Sequence, residues 1–68
     1  MSDLDHRIAS ARQHIEDGRR IVARQRELVA SPHSDTEAAS LLATFEQSLA
    51  IFERDLERLL AEQAKLKP

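Results

Sequence analysis

Apolar residues recur along this chain in alternating steps of four and three. The first stripe runs Leu4, Ile8, Ala11, Ile15, Gly18, Val22, Gln25, Val29. The second runs Ala38, Leu42, Phe45, Leu49, Phe52, Leu56, Leu59, Gln63, Leu66. A mean step of about 3.5 residues keeps one side of an α-helix apolar, and sustained over several heptads it marks a seam between helices. The stripes are separated by SPHSD, residues 31–35, which contains one of the chain's two prolines. Pro32 disfavours a helical Ser31 and so helps to end the first helix. Ser34-Asp35-Thr36-Glu37 then fits a capping box, in which Ser and Glu each satisfy an orphan amide. Ser2 or Asp3 is placed to cap the first helix. The pattern predicts one unit over residues 1–68: helix 1 at about 3–30, a loop at 31–34, and helix 2 at about 35–66. So short a loop makes the helices antiparallel neighbours. The expected fold is an all-α, coiled-coil-like antiparallel two-helix hairpin.

Folding the chain at the loop so that facing residue numbers sum to 67 gives a register. The predicted layers are Ile8–Leu59, Ala11–Leu56, Ile15–Phe52, Gly18–Leu49, Val22–Phe45, Gln25–Leu42 and Val29–Ala38. Small Ala11 and Gly18 lie on the face that receives the two phenylalanines, and large against small fills space without voids. Gly18 costs about 1 kcal/mol in a helix interior, so it is expected to make room for a ring or for close helix approach. Beside the seam, the same register predicts the ion pairs Arg12–Glu53, Arg19–Glu46, Arg7–Glu62 and His14–Asp55. Arg26 faces Ala39 and gains no partner. Exposed pairs of this kind contribute about 0–1 kcal/mol each, so their expected role is to fix register and orientation.

Four apolar residues fall outside the seam. Ile21, Leu28, Leu41 and Ile51 gather on one flank around Ser48, with Leu28 opposite Leu41. A two-helix hairpin has no second layer to cover them. An apolar patch rimmed by charge usually marks an interface, and the simplest closure is a two-fold dimer that makes a four-helix bundle. On the opposite flank, Leu60 near Ala39, Ala43 and Ala50 offers a second, smaller contact.

Composition strengthens that expectation. A chain of 68 residues buries only a modest share of its surface and is normally helped by a disulfide, a metal or a partner. It has no cysteine, which excludes disulfides and thiolate metal sites. The three histidines lack the inward Glu-x-x-His spacing of helical-bundle metal centres. No Gly-rich phosphate loop occurs, and a rod offers no pocket to gather Ser, His and Asp for catalysis. No enzyme activity, cofactor or metal is therefore expected, and a partner chain is the expected source of stability.

Charge bears on the class of partner. The formal net charge is −2. Residues 1–32 carry six Arg against five Asp/Glu, and residues 33–68 carry four Arg/Lys against seven. Two segments of opposite sign favour each other over an external polyanion. RRIVARQREL, residues 19–28, nevertheless concentrates arginine, so Arg20, Arg24 and Arg26 form an alternative, nucleic-acid-facing reading. Against it, both phenylalanines are in the seam, whereas single-strand binders display aromatic residues for stacking. No apolar run approaches the ~20 residues of a membrane span. MSDLDHRIAS lacks the basic start and apolar stretch of a signal peptide, so the expected location is cytoplasmic.

HIEDGRRIVARQREL and DTEAASLLATFEQSLAIFERDLERL together resemble a group of short, uncharacterised alphaproteobacterial helical-hairpin proteins. The resemblance rests on His14, Gly18, Arg24-Gln25-Arg26, Asp35-Thr36, Leu41-Leu42 and Phe45-Glu46. It covers most of the chain and implies a hairpin, but no activity and no site. The functional expectation is a small structural or adaptor protein acting through helix–helix contact and self-association, with a further protein partner open to it.

Overall fold

The computed structural model describes residues 2–32 and 35–66. It contains two helices, α1 (Asp3–Ala30) and α2 (Thr36–Leu66). They run antiparallel along a rod of 55 × 16 × 13 Å. Contacts at both ends define the direction. Near the loop, Gln25 Nε2 donates to the Ala38 carbonyl at 2.9 Å. At the open end, Gln63 Nε2 donates to Asp5 Oδ1 at 3.0 Å.

Each helix starts where side-chain chemistry can satisfy its first amides. Ser2 caps α1: its backbone is extended, and its Oγ accepts from the Asp5 amide at 3.1 Å. Asp3 and Asp5 then lie in the first turn, where negative charge complements the helix dipole. Asp35 caps α2. Its Oδ1 accepts from the Ala38 amide at 2.9 Å, the three-residue spacing of an N-cap. Ser34 of the expected capping box lies outside the described residues. The end of α1 follows from Pro32: Ser31 is extended, with φ −66° and ψ 143°, as a residue before proline prefers.

The seam forms at the expected register, but the two helices bury unequally. Ile8, Ala11, Ile15, Val22 and Gln25 of α1 are buried, whereas Leu59 alone is buried in α2. The best-packed layer is Ile8, Ala11 and Leu59, with Leu4, Leu56 and Leu60 against it. Gly18 faces Leu49, as the register predicts, and a Cβ on Gly18 would sit 3.1 Å from Leu49 Cδ1. The space left by the glycine is thus filled by a leucine, not by a ring. Phe52 corrects the expected core, because it is 39 % exposed. Its ring lies 5.5 Å from that of His14, at 40°.

The ion pairs also depart from the expected register. Arg19 pairs with Glu53 at 3.7 Å and Arg26 with Glu46 at 4.0 Å. These partners lie one heptad further from the loop than the expected Glu46 for Arg19 and Ala39 for Arg26. The reason is the lean of helical side chains toward their own N-terminus. In an antiparallel pair, an arginine on α1 and a glutamate on α2 lean toward each other along the rod. Pairs one heptad apart in facing number therefore meet. Among the described residues, Arg12–Glu53, Arg19–Glu46, Arg7–Glu62 and His14–Asp55 form no ion pair. Asp55 instead accepts from Arg58 at 2.6 Å.

Candidate interaction surface

The four flank residues are all exposed: Ile21 49 %, Leu28 51 %, Leu41 43 % and Ile51 57 %. Their position follows from the heptad. Ile21 and Leu28 stand one heptad apart on the edge of α1 that continues to His14. Leu41 holds the matching edge of α2, seven residues before Ser48. Phe52, which sequence reasoning placed inside the seam, joins this surface next to Ile51. Periodicity locates the middle of an apolar face but not how much of it one partner helix covers, so Phe52 could not be assigned from spacing.

Two depressions sit at the ends of this strip. One is lined by Leu28 and Leu41 together with Asp35 and Glu37. The other is lined by Ile51 and Phe52 together with Arg54, Asp55 and Arg58. Each thus combines an apolar floor with a charged rim, acidic near the loop and largely basic further away. Glu37 and Arg54 make no ion pair among the described residues, whereas Arg58 is held by Asp55.

The opposite flank carries a third depression, lined by Ile15 and Leu56 between Arg12, Arg19 and Glu53. Leu60 packs onto the Ile8–Leu59 layer, and the Arg19–Glu53 and Arg26–Glu46 pairs line the same side. Leu60 is thus partly taken up by the hairpin's own core.

The arginines of the alternative reading do not share one face. Arg20 and Arg24 project within about 40° of each other, but Arg26 lies about 200° from Arg24 at 100° per residue. Arg20 is bonded to Asp17 at 3.2 Å, and Arg26 reaches Glu46 on α2. Arg24 alone of the three makes no ion pair among the described residues.

Gln25 was placed in the seam without a role. It is buried at 8 % exposure, and its bond to the Ala38 carbonyl ties the last turns of α1 to the first turn of α2. A lone glutamine in an apolar column, about one and a half turns before the end of α1, is the signal that could have found it. Among the described residues, no group of three or more His, Cys, Asp or Glu could hold a metal ion, and no helix is long and apolar enough to cross a membrane. The chain matches no known protein family, no curated protein and no solved structure.

Proposed function

We propose that the chain is a small structural or adaptor module that works by helix–helix contact, including contact with a second copy of itself. One observation carries this reading: α2 is the more apolar helix, yet Leu59 is its one buried residue, and Leu41, Ile51 and Phe52 stay exposed. A helix is stabilised mainly by packing its apolar face, and α1 covers only part of the apolar surface of α2. The uncovered part is continuous with Ile21 and Leu28, so a further helical layer would bury both helices at once. The arginines support nucleic-acid contact less well, because Arg20 and Arg26 are already engaged by carboxylates of the same chain.

Sedimentation equilibrium tests the reading. The wild-type chain is expected at twice the mass of one chain, and the Ile21→Glu/Leu28→Glu double variant at the mass of one, with helicity monitored by circular dichroism. A wild-type monomer at every concentration, or a double variant of unchanged mass, would overturn it.

A further inference from the structure

We infer that the partner on this face is a second copy lying antiparallel to the first, rod against rod, with the two-fold axis passing close to Ile21. The inference rests on the self-association proposed above and specifies its geometry.

The argument starts from positions along the rod. In the seam register, Ile51 is level with Glu16 and Phe52 with Ile15. Leu28 and Leu41 thus lie about six residues to the loop side of Ile21, and Ile51 and Phe52 lie about as far to the other side, roughly 9 Å each way at 1.5 Å per residue. A two-fold axis at Ile21 and perpendicular to the rod places the Leu28/Leu41 depression of one copy on the Ile51/Phe52 surface of the other. The reciprocal contact forms at the same time, as an isologous interface requires.

The charges share this centre. Glu37, level with Ala30, comes opposite Arg54 of the second copy, which is level with Gln13. Asp35 comes toward the second copy's Arg58, level with Ala9. On α1, Arg24 comes opposite Asp17. Each of these pairings is centred within about one residue of Ile21. The acidic rim of one depression thereby meets the largely basic rim of the other, where Asp55 is already held by Arg58 and Arg54 is left for Glu37. The competing two-fold, with its axis along the rod, would set both loops at one end. It would stack α2 of each copy on α1 of the other, leaving Glu37 level with Ala30 and Arg54 level with Gln13, so that neither finds an opposite charge at its own level. The opposite charges that meet only in the antiparallel arrangement therefore select it.

Size is sufficient. With the axis at Ile21 the rods overlap over roughly 42 Å of their 55 Å length, about 670 Å² per copy at a width of 16 Å, above the ~600 Å² per partner at which stable specific interfaces begin.

The experiment is an inter-spin distance. The chain has no cysteine, so Ala61→Cys, at an exposed position level with His6, carries a single nitroxide per chain. Antiparallel rods centred at Ile21 put the two labels about 45 Å apart along the axis at 1.5 Å per residue. Rods with both loops at one end put them about 25 Å apart, across a bundle of helices spaced about 10 Å. In a parallel arm, Glu37→Arg should weaken the dimer about three- to tenfold, and adding Arg54→Glu should restore most of the affinity. A dimer with the short distance, or a charge swap without rescue, overturns the antiparallel arrangement and leaves self-association standing. A chain that stays monomeric, with no inter-spin distance, overturns both.

Discussion

At the residue scale, burial separates side chains that look alike in the sequence. Leu59 is 2 % exposed and touches the best-packed layer, while Phe52 in the same heptad column is 39 % exposed. Leu59→Ala is expected to cost about 3 kcal/mol, the usual range for a buried leucine, read by urea denaturation. The flanking charges contrast with it. Arg19 and Arg26 are more than half exposed in their pairs, so Arg19→Ala or Arg26→Ala should each cost less than about 1 kcal/mol, and less again in high salt. A larger effect would mean that the arginine stems cover apolar surface. These differences were only partly legible. Leu59 and Phe52 share one heptad column, and spacing alone cannot say which of them the partner helix reaches. The ion-pair partners were missed for a different reason. Facing numbers describe Cα positions, whereas guanidinium and carboxylate groups sit at the ends of leaning chains.

At the scale of the element, the helices were the most legible part of the molecule. Heptad spacing is a property of a whole segment, and about four repeats in each helix leave little freedom of register. Pro32 and the polar residues around it mark the break. The start of α2 was less legible, because the capping-box pattern points to Ser34 while the next residue, Asp35, has a side chain that caps equally well. Asp35 performs that role in the structure. Asp35→Ala should destabilise the hairpin by about 1 kcal/mol and Asp35→Asn by much less, since asparagine caps about as well. Equal losses for the two variants would show that the carboxylate acts through charge rather than through the cap. Gln25 binds the same turn from the other side. Its bond to a helical carbonyl restrains the first turn of α2 against sliding on α1, which an apolar residue in that column could not do.

At the scale of the whole molecule, the hairpin buries few residues in α2, so much of its stability is expected to come from association. The melting temperature should therefore rise with protein concentration, as mass action requires when only the folded form associates. Melting curves over a hundredfold range of concentration would check this, and superimposable curves would show that the hairpin stands alone. The exposed strip and its two rims were legible as residues, because Ile21, Leu28, Leu41 and Ile51 fall outside the seam. The pairing of an acidic with a basic rim was not, because it depends on which charged side chains border each depression. The uneven seam has a mechanical consequence as well. The layer buried on both helices, Ile8 with Ala11 and Leu59, lies toward the end where Gln63 meets Asp5, and the layers that follow toward the loop are buried on the α1 side but less so on the α2 side. A force that peels the helices apart from that end loads the strongest contact first. Once it yields, the weaker layers behind it cannot hold the same load, so the hairpin should fail in a single snap. Pulled from the loop side instead, it should give way gradually.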